Sequence, residues 1–490
     1  MTRQSTPTRK SGPAPRRQWI GLVAGPVLAA ACLLAPPPPE MAPEAWRMVA
    51  MTVWMVTWWL TEAVPIPATA LLPLVLMPLF AVGAMTPTAA QYAHPLIFLF
   101  LGGFLLAAAM QRVGLHRRIA LGIVAAVGTS PRRIILGFML ATAFLSMWVS
   151  NTATAMMMYT VGLSVIALMD DGSSTAGPRG FGVALMLSIA YSASIGGVGT
   201  LIGTPPNALM AGFLASSYGL EITFSRWMLL GVPVVAVMLP LAWLLLTQVL
   251  FAAPAGTMAG ADELLASERA SLGRMRGPER MVAAIFAATA AAWLLRAPLA
   301  TATGLPIDDT LIAIAAALVL FAVPATADGV RALDWAATRE LPWGILLLFG
   351  GGLALARGFS ETGLAAWIGQ SVGGLTLGPA ALVLAVLAAI VLLTEITSNT
   401  ASTATFLPIL GAVAVGLGLP PALLCVPVAL GASMAFMMPV ATPPNAIVFA
   451  YEPMRLGDML RAGVLLNLIA IATSFALFRL LGPYVFDIGF

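Results

Sequence analysis

Charge is what this sequence has least of. Only 9% of its 490 residues are Asp, Glu, Lys or Arg, and 60% are apolar. A soluble domain carries roughly 25% charged residues, so a cytosolic globule is ruled against. Histidine and cysteine are also scarce. His94 and His116 lie far apart, and Cys32 and Cys425 both fall in apolar stretches. Neither pair suggests a metal site or a disulfide framework. No His-Asp constellation and no glycine-rich phosphate loop occurs, which argues against an acyl or phosphoryl transferase. The net charge of +4 does not point to nucleic acid. The apolar runs are continuous and not alternating, which disfavours a transmembrane β-barrel.

What is present is a chain of long apolar runs. A spanning helix takes about 20 residues, so there is room for roughly ten to twelve. Residues 1–18 are polar and proline-rich, with Arg3, Arg9, Lys10, Arg16 and Arg17 and no acid. No convincing cleavage site follows, so a disordered cytoplasmic tail leading into a retained helix at about 19–35 is expected. Further runs lie near 46–62, 64–84, 95–111, 132–169, 182–216, 227–251, 280–297, 307–324, 341–357, 379–417, 420–450 and 460–483. The runs at 132–169 and 379–417 are long and carry polar residues near the middle, as folded-back hairpins would. Arg112, Arg117, Arg118, Arg132 and Arg133 flank one connection, and Arg269, Arg274, Arg276 and Arg280 lie in a polar linker at 252–280. Excess basic residues put both on the cytoplasmic side with the N-terminus. Gly482 to Phe490 has no basic residue, which suits an external C-terminus and an odd number of spans. Trp54, Trp58 and Trp59 read as interfacial anchors, His94 as interfacial and His116 as a solvated loop residue.

The strongest pattern is a duplication. Phe100-Leu101-Gly102-Gly103 is echoed by Phe349-Gly350-Gly351-Gly352, and Gly114-Leu115 by Gly363-Leu364. Ser150-Asn151-Thr152-Ala153 returns as Ser398-Asn399-Thr400-Ala401. Thr204-Pro205-Pro206-Asn207-Ala208 returns as Thr442-Pro443-Pro444-Asn445-Ala446. The order is kept, but the first half has about ten more residues between its Ser-Asn-Thr and its Pro-Pro. Each proline pair must interrupt a helix. A helix broken within a membrane leaves N–H groups that attract anions and carbonyls that attract cations. Paired breaks in two halves are the best sequence pointer to a transporter binding site. The glycine clusters permit close helix packing.

The paired Ser-Asn-Thr and Thr-Pro-Pro-Asn motifs, with Trp58-Trp59-Leu60-Thr61-Glu62-Ala63-Val64-Pro65-Ile66-Pro67 upstream, resemble the divalent anion–sodium symporter family, the INDY-like di- and tricarboxylate carriers. The resemblance covers roughly residues 45–485. It implies an all-α polytopic inner-membrane protein, a homodimer with about 11 transmembrane helices and two re-entrant hairpins in an inverted two-fold repeat. Residues 19–130 and 281–377 would be scaffold helices. Residues 131–251 and 378–490 would form a transport domain, with broken helices near 184–215 and 421–450, moving by an elevator-type mechanism. The family pattern puts substrate at Asn151, Thr152, Thr200, Ser398, Asn399, Thr400, Thr442 and Pro443. It puts one sodium at Ser146, Ser150, Asn151 and Gly199, and another at Thr394, Thr397, Asn399 and Ala441. Thr200 and Thr442 do not stand at equal distances from their proline pairs.

No basic residue occurs within 142–163, 184–210, 392–410 or 432–450. Neutral donors, helix N-termini and Na⁺ would therefore have to balance a dianion, whose unaided burial would cost many kcal/mol. The expected activity is secondary active symport of a divalent anion, a C4-dicarboxylate such as succinate, with more than one Na⁺ and no other cofactor. Sodium-independent dicarboxylate exchange and carriage of sulfate or citrate are the alternatives. A sodium–proton antiporter of related architecture would need a titratable carboxylate at the breaks, where Asn and Thr stand. Glu62 and Glu395 each follow a threonine beside an apolar run and read as helix ends near the interface, with a role in transport left open.

Overall fold

The computed structural model describes residues 16–167, 178–251, 260–325, 329, 331–372 and 377–490. The expected tail lies outside them as far as residue 15, as does the first part of the linker, 252–259. Among the described residues the chain is helical, with one isolated bridge between Pro324 and Arg331 and no strand. The main helices are α1 (Arg16–Leu34), α2 (Pro43–Thr61), α3 (Pro95–Arg112), α4 (Leu115–Val127), α5 (Pro131–Ser146) and α6 (Asn151–Ala167). They continue with α7 (Pro178–Gly197), α8 (Pro205–Tyr218), α9 (Phe224–Leu244), α10 (Ala261–Ser271), α11 (Gly277–Leu294) and α12 (Asp309–Ala322). The last seven are α13 (Trp343–Glu361), α14 (Leu364–Val372), α15 (Pro379–Thr394), α16 (Asn399–Gly416), α17 (Ala422–Ala432), α18 (Pro443–Phe449) and α19 (Leu456–Phe486).

The run α3 to α9 is matched in order by α13 to α19, and the duplicated motifs mark corresponding points. The Gly-Leu pairs are the corners between α3 and α4 and between α13 and α14. Gly114 (φ 77°) and Gly363 (φ 76°) both take the left-handed conformation that lets the chain turn there. Prolines open α5, α8, α15 and α18, where their missing N–H would have no partner in any case. The unequal spacing between the halves is taken up before the break: α7 has 20 residues and its counterpart α17 has 11.

Seven described helices are long and apolar enough to cross a membrane, or eight if the bent pair Gly277–Leu294 and Arg296–Thr303 makes one span. One of the seven, α7, and the shorter α17 are buried on nearly every side. They are apolar all round, as central helices must be. The halves interlock around them. Beyond its break, the first half's α8 packs on α17 and α16, while the second half's α18 packs on α7 and α6. This crossing brings the two breaks together. The glycine clusters serve close approach: a Cβ at Gly102 would stand 2.8 Å from the carbonyl carbon of Ala313 on α12.

Four expectations are corrected. Residues 16–18 belong to α1 and not to a tail. The linker forms helix α10 and the start of α11. It is tied to α4 by Arg117–Glu268 (2.6 Å) and Arg118–Glu279 (2.7 Å). Trp59 is not an exposed anchor but is buried and donates to Ile66 O (3.3 Å), while Trp54 and Trp58 pack edge to face on each other and lie against Gly25 of α1. His116 lies in α4, half-buried, 3.3 Å from Met110 O.

Candidate binding site

The two Ser-Asn-Thr tripeptides and the two Thr-Pro-Pro motifs line a single cavity of about 600 Å³. Ser150 to Thr152 come from the tip between α5 and α6, and Ser398 to Thr400 from the tip between α15 and α16. Thr204 to Pro206 and Thr442 to Pro444 come from the breaks. Four helices, α6, α8, α16 and α18, therefore begin at this cavity. Each helix start carries about half a positive charge. The proline pairs lack N–H groups, so donors come mainly from the tips and from side chains. Among the described residues, the hydroxyls of Thr152, Thr204, Ser398 and Thr400 make no hydrogen bond, nor does Asn399 Nδ2. Uncharged donors and helix dipoles facing one chamber favour an anion.

Of the residues expected at substrate, Asn151, Thr152, Ser398, Asn399, Thr400, Thr442 and Pro443 line the cavity and Thr200 does not. Thr200 is fully buried, and its hydroxyl donates to Met147 O (2.5 Å). Its place is taken by Thr204, the residue before the first proline pair, as Thr442 is before the second. The repeat itself carried that signal. Of the residues expected at sodium, Ser150, Thr397 and Ala441 line the cavity, while Ser146, Gly199 and Thr394 stand behind the tips. Behind the first tip, Ser146 Oγ is 2.5 Å from Asn151 Oδ1. Behind the second, Thr394 Oγ1 is 2.6 Å from Asn399 Oδ1 and 3.1 Å from Ala432 O. Thr397 Oγ1 is 2.6 Å from Ser402 Oγ. Such neutral oxygens suit a hard cation.

The breaks are held open by amides. Asn207 Nδ2 donates to the carbonyls of Gly197 (3.2 Å), Val198 (3.4 Å) and Thr200 (2.8 Å). Asn445 Nδ2 does the same in the second half, to Ala435 (3.2 Å) and Met438 (3.0 Å). The chain has five asparagines in all, Asn151, Asn207, Asn399, Asn445 and Asn467, and every one serves a tip or a break. Glu395 ends α15, and it is buried within the protein. Its carboxylate accepts from the backbone N–H groups of Phe436 (2.7 Å), Met437 (3.0 Å) and Met438 (3.1 Å) and from Asn467 Nδ2 (2.7 Å). It thus fixes the non-helical stretch before Thr442 from inside. The first half has Met147 at the matching position.

The cavity also contains charged residues outside the expected segments. Arg17 of α1 lies 3.4 Å from Glu62, which caps α2 in a left-handed conformation, and both line the chamber with Glu340. Glu62 is a candidate in the sequence, whereas Arg17 and Glu340 come from distant parts of the chain and left no local signal. Phe100, Phe104 and Ile345 add apolar lining. An adjoining vestibule shares Phe104, Ser150, Glu340 and Pro342 and reaches Arg112 and Asp334. The Arg112 guanidinium, 2.7 Å from Asp334, holds that carboxyl below the usual carboxylate range.

The comparisons agree with this geometry. The family model described as sodium:sulfate symporter transmembrane region matches residues 16–486. The sodium-dependent dicarboxylate transporter SdcS of Staphylococcus saprophyticus is 42% identical over 481 residues, covering 96% of this chain and 92% of the relative. SdcS of Staphylococcus aureus is 41% identical over 472 residues, covering 94% and 91%. The fold is also similar to the crystal structure of the Alcanivorax borkumensis YdaH transporter. The TM-score is 0.60 at 15% identity, covering 90% of this chain and 99% of that one. With a family model spanning nearly its whole length and relatives above 40% identity, the chain belongs to the sodium:sulfate symporter family, the divalent anion–sodium symporters.

Proposed function

We propose that this protein carries C4-dicarboxylates such as succinate across the inner membrane by symport with more than one Na⁺. One observation carries the reading: four helix starts and two Ser-Asn-Thr tips face a single chamber, the tips and breaks bear no Lys or Arg, and the one arginine in the lining, Arg17, is paired with Glu62. A dianion there is balanced by dipoles, hydroxyls, the Asn399 amide and sodium. Asn151, Thr152, Thr204, Ser398, Asn399, Thr400, Thr442 and Pro443 are the proposed substrate residues. Ser146, Ser150, Asn151 and Gly199 on one side, and Thr394, Thr397, Asn399 and Ala441 on the other, are the proposed sodium residues. The names of the SdcS relatives support both cargoes and favour transport over catalysis.

Coupling follows from electrostatics. Bringing a dianion alone into a site of low dielectric is costly. Sodium bound behind each tip lowers that cost, so neither cargo crosses well without the other. The tips and breaks that line the chamber belong to 131–251 and 378–490, while Phe100, Phe104 and Ile345, which line it too, belong to 19–130 and 281–377. That division supports 131–251 and 378–490 as a body that slides against a scaffold of 19–130 and 281–377, in an elevator-type motion. The resemblance to the family implies an odd number of crossings, about eleven. The N-terminus is then cytoplasmic and the C-terminus external. The vestibule at Arg112 opens to the cytoplasm by the same charge rule. A homodimer belongs to the proposal by resemblance alone.

Thermal unfolding of the purified protein tests the binding reading. Succinate is expected to raise the unfolding midpoint in NaCl and not in KCl, with sulfate and citrate compared alongside. Equal stabilisation in both salts would contradict the proposal.

A further inference from the structure

The inner end of the Asn151 side-chain amide has an unusual environment. The atom that points inward lies 2.5 Å from Ser146 Oγ, 3.2 Å from Ala193 O and 3.3 Å from Gly203 O. Two of these partners are carbonyls, which only accept, and the third is a hydroxyl with one proton. Two settings of the amide satisfy such a shell. With Nδ2 inward, its two N–H bonds are shared among Ala193 O, Gly203 O and Ser146 Oγ, and the protein meets its own needs. With Oδ1 inward, the serine hydroxyl and three further oxygen atoms stand in a cluster with almost no proton between them. Only a cation makes that setting favourable.

The outer end of the same amide borders the cavity and makes no hydrogen bond within the protein. The two settings therefore present opposite faces to an anion. With Nδ2 inward, the carbonyl oxygen of Asn151 faces the chamber and repels a carboxylate. With Oδ1 inward, the N–H groups face the chamber and can donate to one. The mirror position differs: Thr394 Oγ1 donates to Asn399 Oδ1 (2.6 Å), which leaves Asn399 Nδ2 free to face the chamber.

We propose that the amide of Asn151 is a sodium-operated switch. Without sodium it is locked with its nitrogen inward. Sodium entering the oxygen cluster turns it over, and the freed N–H groups then donate to the dicarboxylate. The inference rests on the proposed function and deepens it. It makes an amide rotation at the first tip a link between cation and anion, in addition to their mutual attraction. Asn151 is a positioning residue for coupling as well as a contact to both cargoes.

The scarcity of asparagine makes the test practicable. Protein labelled with ¹⁵N only at asparagine has five side-chain amides, assigned by single Asn→Asp substitutions. Their hydrogen exchange is followed by NMR in KCl, in NaCl, and in NaCl with succinate. In KCl the Asn151 amide is expected to exchange roughly tenfold more slowly than in NaCl, since its hydrogen bonds to carbonyls are released by sodium. Succinate restores the protection. Asn207 and Asn445, tied to carbonyls in every state, serve as internal controls and do not respond. An Asn151 amide that exchanges equally in KCl and NaCl, in a protein whose succinate uptake is sodium-driven, overturns the switch and leaves the proposed function standing. Sodium that alters neither stability nor uptake overturns both.

Discussion

Replacing Glu395 with leucine removes the acceptor for four donors at once. Two of them, the Phe436 N–H and Asn467 Nδ2, are in fully buried surroundings. Leaving a buried donor unpaired costs about 1–3 kcal/mol, so these two together cost about 2–6 kcal/mol. The Met437 and Met438 N–H groups are only partly buried, and water can replace the carboxylate there. Burying the leucine side chain offsets about 1–2 kcal/mol of the loss. The net effect is a loosened stretch from Ser433 to Thr442, the backbone that precedes the second proline pair. Glu395→Gln is the control. Its one remaining oxygen can keep Phe436, Met437 and Asn467, and it loses chiefly the Met438 contact, worth about 1 kcal/mol. The expected order of unfolding midpoints in detergent is parent, then Gln, then Leu by a wide margin, with succinate uptake falling in the same order. A leucine variant as stable and as active as the glutamine variant would refute the clamp.

Asn399→Ala is expected to abolish succinate uptake while the protein still elutes as a folded species on gel filtration, because it removes an amide from the tip and not from the core. Thr204→Val removes a free cavity hydroxyl, so calorimetry should show succinate binding weakened about two- to tenfold with the unfolding midpoint unchanged. Thr200→Val should do the reverse, lowering the midpoint through the lost bond to Met147 O and affecting succinate affinity little. Arg118→Gln breaks the pair with Glu279 and the bonds to Leu272 O and Gly273 O (3.0 Å each). Amide hydrogen exchange in α10 is expected to rise while α7 stays protected.

Much of this plan was legible in the sequence because a membrane leaves few options. Polar tripeptides and proline pairs inside long apolar runs have to be tips and breaks, and the structure has both near the expected positions. The repeat also showed which segments correspond. Sequence distance hid the rest. Nothing near Arg17 or Glu340 indicates that they share a chamber with Asn151, since their meeting depends on how α1 and the segment before α13 pack. Glu395 was read as an interfacial helix end because helix ends usually lie there. Its true environment depends on three N–H groups that become free only when the chain beyond α17 leaves the helix. The tryptophans misled in the opposite direction. Trp59 looks like an anchor by composition, yet it is buried where α2 meets the following turn. Thr200 and Thr204 differ by one turn of chain, and only the offset from the prolines separates a core hydroxyl from a cavity hydroxyl.

The central claim is that sodium and a dicarboxylate dianion share one charge-balanced site and move together. Uptake of labelled succinate by proteoliposomes tests it most directly. An inward sodium gradient should accumulate succinate above its external concentration, and collapsing that gradient should release it. Accumulation that is the same with and without the sodium gradient would contradict the account.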